Sequence, residues 1–307
     1  MKISNHEQEI VNSLEESTIK RIMTPRNDLV FKKLFGSVGK ENIVKDFLEA
    51  ILDIKIKSLE LGKETILLPE EIDERAGVLD VKATLENGTI IDIEMQNANT
   101  HYIVKRAHFY ASRMYGSQLK AARDFKELKK VVVIFITNFN IFNNIKNYHT
   151  KWLMTEQNNL KEHFDEIELH YIEMPKFLAS KYNKKRKIDQ WLLFLDYSRK
   201  ELLREIMEEN ENIKAAEEDL KKIQDDKHAQ YLAWLREKYI LETNTSRVEG
   251  YDEGYDEGYE KGSNESRKEE KKEIVIRMLK ENFEISMISR ITGLSEEEIE
   301  KIMGEME

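Results

Sequence analysis

The sequence predicts an α/β fold in which helices flank a mixed β-sheet, followed by a wholly helical C-terminal region. The first observation is a set of segments in which apolar and polar residues alternate, as in half-buried strands. These segments are 54–61, 78–85, 89–96 and 166–174. The second is the apolar, β-branched run 131–137, which is typical of a central buried strand. The third is the helical spacing of apolar residues between and after these segments, which completes an α/β order.

Local signals predict the elements of the first half. Residues 1–22 are polar, and we expect them to be loosely ordered. Asn27 and Asp28 precede a short amphipathic segment and are suited to cap a helix there. Apolar residues at helical spacing predict a helix over 41–52, and a long helix is predicted over 100–122.

Changes in composition predict five regions along the chain. They are a polar N-terminal segment (1–22), an α/β domain (23–187), a helical extension (188–245), a four-residue glycine and tyrosine repeat (246–264) and a small helical module (265–307). The repeat is compatible with a helix or with a flexible acidic linker. In the last region Ser295 and Glu298 have the spacing of a capping box.

The composition excludes several classes of site. Cysteine is absent from the 307 residues, which excludes disulfides, thiol catalysis and cysteine-ligated zinc. No apolar run is long enough to span a membrane, and the N-terminus lacks the apolar core of a secretion signal. We therefore predict a cytoplasmic protein with no membrane partner.

The charge is unevenly distributed. The net charge is −10, yet residues 100–190 carry 17 lysines and arginines against 9 acidic residues. A locally basic region between acidic flanks can offer a surface for phosphate groups. The alternative is the ordinary fluctuation of charge along any chain.

The segments 78–85 and 89–96 are predicted to form a β-hairpin around Glu86-Asn87-Gly88. A two-residue turn would set the apolar faces of the two strands on opposite sides of the sheet. A three-residue loop with Gly88 in the left-handed conformation makes the apolar faces coincide. Because one face must be buried, we predict the three-residue loop.

This register places two carboxylates opposite each other. Asp80 faces Glu94, with Cβ atoms about 5 Å apart, and Lys82 faces Asp92. Such carboxylates repel each other unless a cation lies between them, and oxygen ligands suit Mg²⁺ or Mn²⁺. Gln96 lies on the same face and can orient a water molecule. The alternative is an exposed polar face with a cross-strand pair of Lys82 and Asp92.

Five segments carry a resemblance to a known group of enzymes. They are NDLVFKKLFG (27–36), VKDFLEAILDIKIKSLEL (44–61), GVLDVKATLENGTIIDIEMQ (77–96), KRAHFYASRMYGSQLKAARDFKELKKVVVIFI (105–136) and ELHYIEMPK (168–176). In order and spacing they resemble the PD-(D/E)XK nuclease superfamily, and more closely its Rpn-type recombination-promoting nucleases, which are also described as transposases. The resemblance implies a restriction-endonuclease-like mixed sheet flanked by helices.

The resemblance assigns roles to individual residues. Asp80 and Glu94 match the metal-binding catalytic acids, and Gln96 stands where the superfamily motif has lysine. Leu79 stands where the motif has proline. An uncharged glutamine can position water, but it cannot stabilise developing charge as lysine would. Asp28 matches an acid before the first helix, where it either contacts the metal, caps the helix or does both.

The helix after the hairpin carries the residues that we assign to DNA binding. Arg106, Tyr110 and Arg113 recur at steps of four and three and so share one helical face. The arginines can clamp phosphates, and Lys120 follows on the same predicted helix. The alternative is a solvated basic face. The run Lys184–Lys187 is a second candidate for contact with the DNA backbone, although such runs are more often only solvated.

The resemblance implies a DNA endonuclease, dependent on Mg²⁺ or Mn²⁺, that hydrolyses phosphodiester bonds in recombination, mobile-element or defence processes. Two alternatives stay open. One is a nuclease-fold protein of weak or absent activity that binds DNA or serves assembly. The other is an RNA nuclease, because a fold does not fix its substrate.

The C-terminal helices are predicted to join two copies of the chain in a homodimer. In helical form the glycines of the repeat make a stripe along which two backbones can approach closely. These glycines are Gly250, Gly254, Gly258 and Gly262. Residues 283–307 contain only Arg290 and Lys301 as basic residues, which favours a protein partner over DNA for this module.

Overall fold

The computed structural model describes residues 4–62, 66–67, 77–78, 80–98, 102–119 and 124–305. They form two units, Met1–Ile240 and Leu241–Glu307. The described part of the first unit contains eight strands. They are β1 (Leu59–Leu61), β2 (Ile66–Leu67), β3 (Gly77–Val78), β4 (Val81–Leu85), β5 (Ile90–Gln96), β6 (Val131–Thr137), β7 (His149–Thr155) and β8 (His163–Glu173).

Six strands form one mixed sheet in the order β1-β4-β5-β6-β8-β7, and β2 pairs with β3 separately. The central strands β5, β6 and β8 are parallel, whereas β1 and β4 at one edge and β7 at the other are antiparallel to their neighbours. Every residue of β6 is buried. Helices cover both faces there, which explains why this strand is a continuous apolar run.

Nine helices lie wholly within the described part of this unit, and a tenth begins in it. They are α1 (Asn5–Ser13), α2 (Glu16–Ile22), α3 (Asp28–Phe35), α4 (Glu41–Leu52), α5 (Ile103–Gly116), α6 (Met174–Ala179), α7 (Lys187–Asp196), α8 (Lys200–Glu209), α9 (Glu211–Asp225) and α10 (Lys227–Lys280). The predicted fold class, a mixed sheet flanked by helices with a helical C-terminal region, is confirmed. The predicted helix over 100–122 is shorter than expected, because α5 ends at Gly116 and a 3₁₀ turn follows.

The N-terminal segment differs from our expectation of a loosely ordered stretch. Residues 5–22 form the helices α1 and α2. Ser4 and Glu7 make a capping box that satisfies the first amide groups of α1. The segment is ordered because Val11 and Ile22 are buried, while its many polar side chains face solvent.

One face of the sheet carries the larger core. Helices α3, α4 and α6–α9 pack on this face, against the odd-numbered residues of β5. Phe35 of α3, Phe47 of α4 and Trp191 of α7 pack against one another within this core, with ring centroids 4.9 Å apart for the tilted pair of phenylalanines and 5.3 Å apart for the edge-to-face pair of Phe47 and Trp191. The helices that we predicted as an extension from residue 188 therefore share one core with the sheet.

A buried carboxylate links these helices through hydrogen bonds and an ion pair. Asp46 of α4 accepts hydrogen bonds from the indole nitrogen of Trp191, at 3.0 Å, and from the side-chain amide of Asn210, at 3.2 Å. Lys187 forms an ion pair with the same carboxylate. Burial opposes the charge on Asp46, but these donors outweigh it and lower the pKa of the carboxyl group.

Among the described helices, α5 packs on the opposite face of the sheet, and we call this face the α5 face. Ala107 and Tyr110 of the helix pack on Val133, Phe135 and Tyr171 of the sheet. This core is smaller than the one on the other face. The α5 face consequently also holds polar side chains, and it leaves open space beside the helix.

The second unit is described by itself. Its helices α11 (Ile285–Thr292) and α12 (Glu296–Gly304) enclose a small core of Val275, Ile288 and Ile299. Gly293 ends α11 with φ +72°, and Ser295 forms the predicted capping box with Glu298. The glycine and tyrosine repeat lies within α10, so its backbone is helical. The homodimer stays a prediction.

No helix in the described ranges is both long enough and apolar enough to cross a membrane.

The hairpin has the predicted register. Ala83 pairs with Ile91, Lys82 with Asp92 and Val81 with Ile93. Gly88 has φ +87°, and its amide donates to the carbonyl of Leu85 at 2.8 Å. The three-residue loop is thereby confirmed. An L-residue at this φ is disfavoured, so the loop depends on glycine.

We expect Gly88→Ala to lower the free energy of unfolding by about 1–2 kcal/mol, since alanine is strained in the left-handed region. The added methyl group would also displace the flexible Lys129 side chain. The midpoint of urea unfolding measures the change. Gly116→Ala is the matched control, because nothing lies within 4 Å of the added Cβ and alanine favours a helix. A Gly88→Ala chain as stable as the control would contradict this account of the loop.

Candidate active site

The polar residues of β5 lie on the α5 face. Ile91, Ile93 and Met95 enter the larger core, and strand alternation turns Asp92, Glu94 and Gln96 to the opposite side. Glu94 pairs with Phe135 in the parallel register. It is therefore held on a central strand, beneath α5, where its side chain is only 1% exposed.

Asp80 and Glu94 are interlocked across the hairpin. Asp80 immediately precedes β4, and its amide donates to Oε1 of Glu94 at 3.1 Å. The amide of Met95, next to Glu94, donates in turn to Oδ2 of Asp80 at 3.1 Å. Each carboxylate is thus held by the backbone of the other strand, and each keeps one oxygen outside this reciprocal pair. The predicted juxtaposition of the two acids is present.

The surroundings of both carboxyl groups oppose their ionisation. Burial raises the pKa of Glu94 to about 8, and the negative charge of Asp80 acts in the same direction. Burial also raises the pKa of Asp80 to about 6, and the charge of Asp28 adds to this effect. Arg106 opposes both shifts without cancelling them. The site therefore favours the protonated form of Glu94 at neutral pH.

A chain of hydrogen bonds joins Glu94 to α5. The side-chain amide of Gln96 donates to Oε2 of Glu94 at 3.1 Å, and its carbonyl accepts from Arg106 at 2.9 Å. Arg106 also donates to the hydroxyl of Tyr110 at 3.2 Å, and its guanidinium lies 3.6 Å from Glu94. Gln96 and Arg106 thereby approach the Glu94 carboxylate, and Tyr110 is linked to it through Arg106.

These residues lie within a segment that matches a family model. Residues 25–248 match the model described as PD-(D/E)XK nuclease family transposase. The chain belongs to this family. No curated protein and no solved structure matches the chain. The matched residues include the six-stranded sheet and α3–α9, so the match continues past residue 187 through the helices α7–α9.

Asp92 is a third carboxyl group of the site, to which the sequence pattern gave no chemical role. It was expected at most to pair with Lys82 on an exposed face, but its side chain is 0% exposed. Neither of its carboxyl oxygens has a hydrogen-bond partner among the described residues. Burial, followed by the charges of Glu94 and Asp80, raises the pKa of Asp92 well above its ordinary value. The alternative of an exposed polar face is therefore wrong.

Asp28 is not the cap of α3. The helix is capped by Asn27, whose side chain accepts from the amides of Leu29 and Val30, and Asp28 is the first helical residue. The carboxylate of Asp28 accepts from the Leu29 amide at 2.9 Å and pairs with Arg236 of α10. Its charge still contributes to the raised pKa of Asp80, so it lies within electrostatic reach of the site.

The predicted DNA-binding residues lie along α5. Arg106 and Tyr110 belong to the hydrogen-bonded chain, and Tyr110 is 8% exposed. Arg113 follows seven residues after Arg106, about 10 Å further along the helix axis, where it is partly exposed. Lys120 lies outside the described residues. The two arginines of α5 therefore lie along one helix, with Arg106 next to the carboxylate pair and Arg113 further from it.

The basic run Lys184–Lys187 lies on the other side of the sheet, at the start of α7. Lys184 pairs with Glu205 at 2.6 Å, Arg186 with Asp189 at 2.8 Å, and Lys187 with Asp46. These ion pairs give the run a structural role, and the run is separated from the carboxylate site by the sheet.

The donor set fits a hard divalent cation. Asp80 and Glu94 supply carboxylate oxygens. Their raised pKa values indicate that ionisation is unfavourable in the absence of a cation, and a bound cation would favour the ionised form. Within the described ranges no three acidic or histidine side chains form a metal-binding group. Two carboxylates are sufficient for Mg²⁺, which keeps several waters and substrate phosphate oxygens in its shell.

The raised pKa of Glu94 predicts how stability changes with pH in EDTA. A carboxyl group whose pKa is higher in the folded chain holds its proton more tightly there, so folding is favoured at low pH. Stability is lost as the pH rises from the ordinary value of 4.5 to about 8. The loss is on the order of a few kcal/mol.

Glu94→Gln should flatten this dependence and leave the chain more stable than the unsubstituted protein at pH 8. Thermal unfolding in EDTA at a series of pH values measures the effect. Glu60→Gln, at an exposed position of the edge strand β1, is the control and should keep the pH dependence of stability unchanged. Equal slopes for the Glu94→Gln and unsubstituted chains would contradict the assigned pKa.

Proposed function

We propose that the protein is a metal-dependent DNA endonuclease that hydrolyses phosphodiester bonds. The observation that carries the proposal is the interlocked pair of Asp80, which is half-buried, and Glu94, which is buried on the α5 face, both with raised pKa values. Membership of a family described as nuclease and transposase supports it, and the transposase description supports a role in DNA recombination. Because both acids are present and oriented, we favour an active enzyme over an inactive relative.

Asp80 and Glu94 are the residues that would hold Mg²⁺ or Mn²⁺. When bound, such an ion supplies positive charge that activates water and offsets the charge developing on the phosphate. The reciprocal backbone hydrogen bonds fix both carboxylates before the ion arrives, which reduces the entropy that binding would cost. We assign no such role to Asp28, since Arg236 and the Leu29 amide hold its carboxylate.

Gln96 is proposed to position the attacking water. Its carbonyl oxygen accepts one hydrogen bond from Arg106 and has a second lone pair, and its amide group has a second hydrogen beyond the one given to Glu94. The remaining lone pair can accept a hydrogen bond from a water molecule and so orient it. Arg106 limits the rotation of the Gln96 side chain, which makes the orientation specific.

Arg106 is proposed to bind the scissile phosphate as well. A guanidinium carries five N–H donors, and Gln96 and Tyr110 occupy two of them. Donors that remain can reach phosphate oxygens in the bidentate manner typical of arginine. Burial raises the pKa of Tyr110, so its hydroxyl stays protonated and keeps a hydrogen to donate.

Asp80→Ala and Glu94→Ala should each reduce DNA cleavage at least ~100-fold, because loss of a metal ligand exceeds the 10–100-fold typical of outer-shell residues. Each variant should remain folded, since each removes a desolvated charge. Cleavage of supercoiled plasmid with Mg²⁺ or Mn²⁺, beside an RNA of similar length, measures the effect. Glu60→Ala is the control and should cleave normally.

Full cleavage by both single variants would contradict the assignment of the acids. Failure of the unsubstituted chain to cleave DNA with either ion would contradict the proposed function itself, and cleavage of RNA alone would replace DNA by RNA as the substrate.

A further inference from the structure

The carboxyl ends of the parallel strands β5 and β6 meet beside the carboxylate site. Gln96 ends β5 and is paired with Thr137, which ends β6. The next residue, Asn138, donates its backbone amide to the carbonyl oxygen of Gln96 at 3.0 Å. Ligands of open α/β sheets bind at this end of parallel strands, so the residues around Gln96 are placed to contact the substrate.

Three residues from separate parts of the chain form a hydrogen-bonded cluster at this end of the sheet. We call Arg26, which lies between α2 and α3, Asn97, which follows β5, and Asn138 the strand-end cluster. The side-chain amide of Asn97 donates to the carbonyl oxygen of Arg26 at 2.7 Å, and the Arg26 guanidinium donates to the side-chain oxygen of Asn138 at 3.3 Å. The side-chain amide of Asn138 donates in turn to the side chain of Asn97. Both the backbone and the guanidinium of Arg26 are thereby fixed relative to the end of β5.

The Arg26 guanidinium retains hydrogen-bond donors for a ligand. A guanidinium carries five N–H groups, and within the described part of the chain the one hydrogen bond that this guanidinium donates goes to Asn138. The carboxylate of Asp196, at the end of α7, forms an ion pair with it at 3.5 Å. The side chain of Asp196 is 4% exposed, whereas that of Arg26 is 28% exposed. Asp196 therefore holds the guanidinium from the protein interior, and the exposed part of Arg26 faces solvent.

The acidic residues near Arg26 do not use up these donors. The 3.5 Å separation from Asp196 exceeds the roughly 2.7–3.2 Å of an N–H···O hydrogen bond, whereas the hydroxyl of Ser198 donates a hydrogen bond to the same carboxylate. Asp28, the acidic residue nearest to Arg26 in the sequence, forms an ion pair with Arg236. The remaining N–H groups of Arg26 are therefore available to an anion that approaches from solvent.

Two arginines flank the end of β5. Arg106 extends from α5 on one face of the sheet and donates to the side chain of Gln96 at 2.9 Å. Arg26 lies just before α3, which packs on the opposite face, and it is connected to the backbone of Gln96 through Asn138. Because every nucleotide of a DNA strand carries a phosphate, a strand that crosses the end of β5 presents successive phosphates to the two arginines.

We propose that Arg26 binds the phosphate next to the scissile phosphate, and that the two asparagines of the strand-end cluster position its guanidinium. The proposal rests on the proposed function and adds a second phosphate contact on the side of β5 opposite Arg106. Arginine binds phosphate oxygens through two parallel N–H donors, and such contacts fix the position of a DNA strand without reading its sequence. Arg26 thereby fixes the strand relative to Asp80 and Glu94.

The test measures how DNA binding depends on salt, separately from cleavage. The full chain carrying Glu94→Gln is titrated, in EDTA, against a labelled DNA duplex at a series of KCl concentrations, with fluorescence anisotropy as the readout. Each phosphate contact contributes about 0.9 to the slope of log Kd against log salt concentration. Arg26→Gln should lower this slope by about 0.9 and weaken binding about 10- to 100-fold at low salt, the range expected for a hydrogen bond to a charged group.

Three further variants separate a phosphate contact from an effect on folding. Lys161→Gln removes one positive charge from the turn between β7 and β8, at the opposite end of the sheet, and should leave the slope unchanged. Arg26→Lys keeps the charge but loses the planar pair of donors, so it should keep the slope and lose part of the affinity. Asn138→Ala should weaken binding in the chain with Arg26 and have no further effect in the Arg26→Gln chain, because it acts through the guanidinium.

An unchanged slope in Arg26→Gln would overturn the proposal, as would an equal fall in the slope caused by Lys161→Gln. Additive losses from Arg26→Gln and Asn138→Ala would overturn the positioning role of Asn138. Plasmid cleavage with Mg²⁺ by the chain with Glu94 intact is measured in parallel. Failure of that chain to cleave, with a slope that depends on Arg26, would contradict only the proposed function. Cleavage with a slope independent of Arg26 would contradict only this inference.

Discussion

Two carboxyl groups lie side by side in a desolvated position at the β4–β5 hairpin. The free-energy cost of ionising them there determines the requirements on the rest of the site. Asp80 and Glu94 each have a raised pKa, and the buried Asp92 adds a third acidic group without a hydrogen-bond partner in the described part of the chain. A protein pays for such an arrangement only where a cation or a proton compensates it. The arrangement therefore opposes stability, in keeping with the proposed cation site.

The fold provides the restraint that this arrangement requires. The odd-numbered residues of β5 are buried in the larger core, so the strand cannot slip by one residue without exposing them. The loop at Gly88 fixes the register of β4 against β5, and the backbone amides of Asp80 and Met95 hold the carboxylates. Relief of the repulsion by movement of the strands is prevented, which leaves a proton on Glu94 or a bound cation as the means of compensation at neutral pH.

Much of this site was predictable because strand alternation and turn chemistry are local. The alternation of residues 89–96 and the glycine at position 88 were sufficient to predict the register. The helical spacing of Arg106, Tyr110 and Arg113 identified the residues of α5 as well. The burial of Asp92 was not predictable, because it depends on α5 covering the polar face of the hairpin, and that packing is a tertiary property.

Other elements were missed for different physical reasons. Strand β7 is an edge strand of mostly exposed residues, so its hydrophobic pattern is weak. The spacing of Ser4 and Glu7 is that of a capping box and predicts a helix at α1. The segment was nevertheless predicted to be loosely ordered because its composition is polar. Asn27 and Asp28 are both suited to cap α3, and only the structure shows that Asn27 does so.

The most direct test of the central claim is calorimetric titration of the full chain with Mn²⁺ at pH 7, in two buffers of different ionisation enthalpy. Glu94, with a pKa of about 8, is mostly protonated at this pH, and Asp80, with a pKa of about 6, is mostly ionised. Binding should therefore release about one proton per chain, and Glu94→Gln should abolish that release. Absence of binding, or binding with no proton release and no effect of Glu94→Gln, would contradict the claim that this carboxylate pair is built for a cation.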